Sequence, residues 1–390
     1  MTKHLPIFSV ITFLLCSVIA YFAYPTTIQT DNLYRGVSNN SLEDYYLEGR
    51  QTKNLSTTTE VNFLAVGDIM LSRDVAGQIK RNGTDANWPF HKLSELLVST
   101  DFNFGNLESP FSGRDDYTSV DSLTFNAPTW TQPGLINANF KVLNLANNHA
   151  FDQGLNGLLH TKKLLEEDMS ITPVGTGNNL GEAWEGKIYN ARGVRIGFVG
   201  ASFASLNDGG VTKNNHIARI EDTKQLVQSI NELKTRSDFI VITMHAGTEY
   251  TRSPNTAQIE FAHRAIDAGA DLVIGAHPHW IQPIETYKGK QIFYSLGNFV
   301  FDQEWSHETK EGLVLKIAIE KSGTCNQNLN GQQQVACADS LQGSNTGAKL
   351  KQIELLPIII ENYGQPRLAN EIEKQRILKK IDVTTSVITP

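Results

Sequence analysis

The chain has 390 residues, 40% of them hydrophobic and 19% charged, with a formal net charge of −7 and a pI near 5.8. That length supplies one large α/β core plus additions. The acidic balance excludes general nucleic-acid binding, because nothing supplies the basic surface that displaces phosphate counterions; a polyanionic partner needs a local patch or a metal.

The N-terminus opens Met1-Thr2-Lys3-His4 and is then apolar over 5–24, closed by Pro25. A helical run of that length matches the hydrocarbon thickness of a bilayer. Its end, Ile19-Ala20-Tyr21-Phe22-Ala23-Tyr24, offers no clean Ala-x-Ala, and Leu14-Leu15 before Cys16 makes a poor lipoprotein box. The run reads as an uncleaved single-pass signal-anchor over 1–25, with a cleaved signal peptide or a lipoprotein as alternatives. All three place the main domain outside the cytoplasm, at the cell membrane. Residues 26–60, rich in Thr, Ser, Asn and charges, read as a flexible linker.

From Val61 the pattern changes. Apolar runs at 63–67, 102–105, 142–146, 194–200, 239–244, 270–274 and 291–296 read as strands, and the periodicity predicts helices over 88–100, 157–168, 222–235 and 256–268. This alternation is the signature of an α/β domain, here 61–320. Residues 321–349 read as a polar surface insertion carrying Cys325 and Cys337. An isolated cysteine pair in a loop of an exported chain most often closes a disulfide; free thiols or metal ligands are the alternatives. Apolar alternation resumes at 350–360. A turn at Tyr363-Gly364-Gln365-Pro366 and a helix over 371–381 complete the domain.

Five of these strands end in ligand-type residues. Gly275-Ala276-His277-Pro278-His279 follows one of them; residues two apart in an extended segment point the same way, and Pro278 keeps the segment non-helical, so both imidazoles can face one ion. A pair of surface histidines is the plainer reading. Asp68 follows Gly67, where a turn or helix-cap residue is equally ordinary. Asn106 and Glu108 follow Gly105. In Asn147-Asn148-His149 an amide oxygen can ligate a metal and the imidazole can donate a proton near pH 7, with Asp152 placed to orient it. His245 ends a very apolar strand, with Glu249 close by to hold or assist it. Recurrence at five strand ends points to a mononuclear or polynuclear metal site.

Val66-Gly67-Asp68-Ile69-Met70, Gly105-Asn106-Leu107-Glu108-Ser109-Pro110, Asn147-Asn148-His149-Ala150-Phe151-Asp152, His245-Ala246-Gly247-Thr248-Glu249-Tyr250, Gly275-Ala276-His277-Pro278-His279 and Ser295-Leu296-Gly297-Asn298-Phe299 together resemble the CapA family of poly-γ-glutamate capsule synthesis proteins, itself similar to the calcineurin-like metallophosphoesterases. The resemblance implies a four-layer αββα sandwich with the site at the loops of one edge. It places Asp68, Asn148, His245, His277 and His279 at metal-ligand positions and His149 where the leaving group is protonated. Two positions depart from the phosphoesterase pattern. Asp-x-His becomes Asp68-Ile69-Met70, and the bridging Asp becomes Asn106, with Glu108 as its replacement. The expectation is one tightly held manganese, iron or zinc ion, or two with an altered second site.

Two functions follow. One is a metal-dependent hydrolase of the phosphoesterase type, with His149, Asp152 and Glu249 in catalytic roles. The other is a non-catalytic accessory factor whose degenerate site holds an anionic extracellular polymer, or its precursor, during capsule export. Partners on either reading are that polymer, membrane-embedded capsule synthesis and export proteins, and the membrane itself through residues 5–24.

Overall fold

In the computed structural model the described residues are 52–205, 215–328 and 347–390. Contacts divide the chain into Met1–Gln51 and Thr52–Pro390, and every described residue belongs to the second unit. The apolar run at 5–24 and the predicted disulfide, through Cys337, lie outside the described residues. Among those described, no helix is long and apolar enough to cross a membrane.

Strand β1 (Thr52–Ile69) sets the frame. It turns Val61, Phe63 and Ala65 into one apolar core and Leu64 and Val66 into another. Period-two alternation with both faces apolar belongs to a strand covered on both sides. β2 (Phe102–Leu107), β3 (Phe140–Asn144) and β4 (Thr172–Val174) follow, each parallel to the one before. A second sheet takes β5 (Lys187–Ala191), β6 (Val194–Ser202), β7 (Phe239–His245), β8 (Leu272–Ala276), β9 (Ile284–Tyr287) and β10 (Lys290–Phe293). Its order is β5-β6-β7-β8-β10-β9, with β6, β7, β8 and β10 parallel. The chain then returns to the first sheet as β11 (Asn298–Val300), β12 (Glu311–Asn328), β13 (Lys349–Glu361), β14 (Gln365–Leu368) and β15 (Val387–Ile388). That sheet reads β14-β13-β12-β1-β2-β3-β4, with β11 on β1 and β15 on β13.

The longer helices are α1 (Arg73–Arg81), α2 (Gly154–Lys163), α3 (Thr223–Leu233), α4 (Thr256–Ala268) and α5 (Glu371–Lys380). Residues from both sheets, among them Phe63, Phe104, Phe198 and Val241, share the core between them. The outer face of the first sheet packs on Val75 and Ile79 of α1, and that of the second on Leu226 and Ile230 of α3 and Phe261 and Ala265 of α4. The α/β alternation of the sequence is therefore realised as a mixed α/β sandwich with helices on both outer faces.

Local chemistry fixes the boundaries. α4 starts at an Asn255–Gln258 capping box and stops at Gly269, whose φ of 116° is left-handed. The helix predicted over 88–100 is split instead into a 3-10 stretch, Trp88–Leu93, and a short α-helix, Ser94–Val98. The tighter turn puts Phe90 and Leu93, three apart, on one buried face. β1 and β12 also run further than the polar composition suggests, with pairing from Thr52↔Asn328 to Glu60↔Glu320. The end of the predicted linker and the start of the predicted insertion are thus strand. Ladder bonds are indifferent to side-chain polarity, and the Thr57-Thr58-Thr59 run suits an extended chain. The predicted turn at 363–366 is displaced too: Tyr363 and Gly364 make it, while Gln365 and Pro366 open β14, an edge strand where Pro is tolerated.

Candidate metal centre

The ends of β1, β2, β3, β7 and β8 converge on one edge of the sandwich. Two glycines permit the close backbone approach this needs: a Cβ on Gly67 would lie 1.8 Å from the Gly297 carbonyl oxygen, and one on Gly275 would lie 2.0 Å from that of Tyr294. Ligands of open α/β sheets bind outside the carboxyl ends of the strands, and a polar cluster is gathered there. Asp68, Asn106, Glu108, Asn148, His149, His245, His277 and His279 all belong to it and are all buried.

Within it, His245 Nε2 lies 2.7 Å from Asn148 Oδ1 and 3.1 Å from His277 Nδ1. On the other side, Asp68 Oδ2 lies 3.4 Å from His279 Nδ1 and accepts from the His277 backbone N–H at 3.4 Å. Asn106 meets Asp68 Oδ1 through its amide nitrogen, at 2.8 Å. Asn298, from β11, accepts at Oδ1 from His279 Nδ1 at 2.9 Å and donates through Nδ2 to the Thr309 carbonyl at 2.9 Å. Tyr250 stacks over His279 at 5.8 Å, and Phe203 lies 4.5 Å from the His277 ring.

Glu108 sits among these groups with both carboxylate oxygens buried and without a hydrogen-bond partner. Its Oε1 is 3.8 Å from His245 Nε2, 3.8 Å from His149 Nε2 and 3.9 Å from His279 Nε2. Those distances are too long for hydrogen bonds and suit groups that share a cation. Burial, and then the neighbouring Asp68, push the Glu108 carboxyl well above its ordinary range. Burial, reinforced by the other imidazoles, pushes His245 and His277 well down, so both rings are neutral. Asp68, Glu108 and His245 bring ligand atoms within 4.8 Å of one another. A buried carboxylate left unpaired costs several kcal/mol, on the order of the desolvation of an ion. Carboxylate oxygens beside neutral imidazoles are the donor set of manganese, iron and zinc, and the residues therefore fit a divalent cation.

The histidines reach the cluster by a route that the extended His-x-His reading does not describe. His277 has a φ of 99° and His279 one of 58°, and their ring centroids are 6.2 Å apart. Left-handed backbone at non-glycine residues costs about 1–3 kcal/mol each and persists where the surroundings impose it. Here the Pro278 carbonyl accepts from the Tyr250 N–H at 2.9 Å and Asp68 accepts from His277.

His149 stands apart from the strand-end ligands. Its Nδ1 lies 2.7 Å from Asp152 Oδ2, which also accepts from the Phe125 N–H, and its ring stacks on Phe125 at 4.0 Å. Nε2 is thereby aimed at Glu108. Burial raises the Asp152 carboxyl, and the His149 bond opposes that rise. Glu249 does not hold His245, which is held by Asn106 and Asn148. Gly247, with a φ of 133°, turns the chain outward, and Glu249 is exposed. Its charge acts on the Tyr250 phenol, which burial first and Glu249 second push up to about 12. Met70, where phosphoesterases carry a second histidine, is fully buried in the core on the outer face of the first sheet.

Several contributors carry no strand-end signal. Phe125 comes from a loop. Behind it Arg73 pairs with Asp302 and lies 5.0 Å from the Phe125 ring centroid and 5.8 Å from that of Phe301. Asn144, the last residue of β3, lies within the apolar run 142–146 and donates to Asn106 Oδ1 at 2.8 Å.

Comparison with known proteins places the sequence in a family. The family described as bacterial capsule synthesis protein PGA_cap matches residues 62–303. The PGA biosynthesis protein CapA of Bacillus subtilis (strain 168) is 32% identical over 320 residues, 81% of each chain. The capsule biosynthesis protein CapA of Bacillus anthracis is 35% identical over 266 residues, 66% of this chain and 64% of that protein. Among solved structures, the calcineurin-like phosphoesterase YfkN from Bacillus subtilis aligns over 84% of this chain and 96% of its own, at 12% identity and a TM-score of 0.39, a likeness that assigns neither activity nor ligand. The match spans every strand end that builds the cluster, and the chain belongs to the bacterial capsule synthesis protein PGA_cap family.

Proposed function

We propose that this chain is a membrane-anchored, extracytoplasmic protein of capsule or poly-γ-glutamate-type polymer synthesis and export, and that it works through a metal-dependent hydrolase-type site. Family membership and the names of the two CapA relatives support the polymer. The anchor rests on the apolar run at 5–24 alone. The observation that carries the site is Glu108, a fully buried carboxylate with neither oxygen paired, set among imidazoles. A divalent cation held by Glu108, Asp68, Asn148, His245, His277 and His279 would supply Lewis acidity to a phosphoryl or amide oxygen.

The chain's own residues do the rest. Asp152 and the Phe125 ring hold His149 with Nε2 facing the cluster, the position from which an imidazole delivers a proton to a leaving group. Phe203 and Tyr250 wall the two flanking histidines and limit water around them. A second reading is favoured by Met70 and Asn106, which remove two ligands of the phosphoesterase pattern. On that reading the site binds an anionic polymer or its precursor for membrane-embedded synthesis and export proteins, without turnover.

Elemental analysis of the full-length protein, purified without chelator, tests both against His277→Ala. Manganese, iron or zinc present in the parent and lost in a folded His277→Ala is the expected result. Hydrolysis of a chromogenic phosphodiester and of poly-γ-glutamate then separates the readings. Turnover that falls about 100-fold or more in His149→Ala, with metal retained, is the hydrolase outcome. Metal without turnover leaves the binding function, and a parent that takes up no metal sinks the metal centre.

A further inference from the structure

The amide of Asn106 has only one possible orientation, and that orientation bears on how many ions the centre can hold. Two neighbouring amides are fixed by the backbone. Asn144 donates through Nδ2 to the Ala146 carbonyl at 2.9 Å and accepts at Oδ1 from the Ala146 N–H at 3.3 Å. Asn147 donates through Nδ2 to the Leu107 carbonyl at 2.8 Å and accepts at Oδ1 from the His149 N–H at 3.2 Å. Turning either amide over would set oxygen against oxygen and N–H against N–H, so the network assigns both. Each aims its NH2 at Asn106 Oδ1, at 2.8 Å and 3.4 Å.

The Asn106 oxygen is consumed on that side. Its NH2 accordingly faces inward, 2.8 Å from Asp68 Oδ1 and 3.1 Å from His245 Nδ1. All three amides are buried, so no solvent relaxes the assignment. An N–H edge repels a cation and cannot ligate one. The place between Asp68 and His245 is lined by a donor, where a carboxylate would offer an acceptor to two ions at once.

We infer that Asn106 is a positioning residue and not a ligand, and that its inward N–H edge restricts the centre to a single divalent cation with Glu108 as its unpaired carboxylate. This rests on the metal reading of the cluster proposed above. Asn106 orients Asp68 as outer-shell hydrogen bonds orient ligands elsewhere. Replacing it by Asp substitutes an acceptor oxygen for the donor and opens a second position.

The test uses full-length protein and manganese as the probe, with bound metal counted by equilibrium dialysis and native mass spectrometry. The parent saturates at one ion per chain and Asn106→Asp at two. Asn106→Ala keeps one ion and loses about 10- to 100-fold in affinity, the usual effect of removing an outer-shell partner. Circular dichroism checks that each variant folds; should Asn106→Asp fail to fold, the count in the parent decides alone. A parent that holds two ions overturns the inference and leaves the metal centre standing. So does a folded Asn106→Asp that stays at one. A parent that binds none overturns the metal centre itself, and this inference with it.

Discussion

Glu108 and Glu311 are both shut off from solvent, at 0% and 1% exposure, yet their surroundings are opposite. Glu311, at the start of β12, has Lys380 Nζ at 2.7 Å and Arg376 Nη2 at 3.0 Å, both from α5. The second contact has the distance of an ion pair but not hydrogen-bond alignment, and Oε1 is left without a hydrogen bond. Glu108 faces three imidazoles and a second carboxylate and, among the described residues, no Lys or Arg. A carboxylate answered by its own chain fastens α5 to the sheet. One that the chain leaves unanswered marks the place where something from outside completes the structure.

Glu108→Gln tests that contrast most strongly. Metal affinity should fall at least ~100-fold, about 2.7 kcal/mol. Stability without metal should rise by about 1–3 kcal/mol, because the unpaired charge is gone. The sign with pH follows from the raised carboxyl. The unfolded chain gives up this proton near its ordinary value, the folded chain only at higher pH. Metal-free parent protein therefore loses stability from this group as pH rises above about 4.3. The advantage of Glu108→Gln over the parent should widen with pH. His245 and His277, held low, act on the other flank: their contribution is lost as pH falls below about 6.5, equally in both proteins. Urea midpoints in chelator at pH 5 and pH 8 measure this. A variant less stable than the parent at both would mean that Glu108 is structural.

The second effect has the opposite sign. Glu311→Gln removes the buried negative charge facing Lys380 and Arg376, although Lys380 keeps Glu308 at 3.2 Å, and should cost about 1–3 kcal/mol, with the metal count unchanged. The cost stays below that of a fully buried pair because the two cations are 24% and 45% exposed. Urea denaturation beside elemental analysis checks it. Lost metal would show that α5 and the cluster are coupled and would erase the contrast.

How much of this is visible in the chain differs between the two regions. The five strand ends were legible because each joins a short apolar run to ligand-type residues, and α4 because Asn255, Gln258 and Gly269 mark its limits locally. What holds the ligands was not. The Asp302 partner of Arg73 lies 229 positions away, and Phe125 reaches His149 from a loop with no periodic pattern. Such contacts are set by sheet order, which local composition does not encode. The extended geometry expected of His277 and His279 fails for the same reason: the partners that hold the left-handed backbone, Tyr250 on the Pro278 carbonyl and Asp68 on the His277 N–H, come from other strand ends. Glu249 looked like a partner for His245 from spacing alone, and one glycine, Gly247, sends it outward.

The smallest effect belongs to the half-buried end of the paired region. Arg367 forks onto Glu373 with bonds of 2.7 Å and 2.9 Å and reaches Glu361 at 2.7 Å. Glu373 also closes the capping box of α5 with Asn370. The Arg367 guanidinium, more than any other group, holds the Glu373 carboxyl down to about 2. Because the folded value lies below the unfolded one, the pair's contribution is complete above about pH 4.5 and disappears as pH falls toward 2. Solvent screens these side chains, so Arg367→Ala should cost under about 1 kcal/mol at pH 7 and nothing measurable at pH 2. Urea midpoints at the two values test it. A loss at pH 7 as large as that of Glu311→Gln would mean that the half-buried fork, and not the fully buried carboxylate, holds α5 to the sheet, and Glu311 would then lose its place as the counterpart of Glu108.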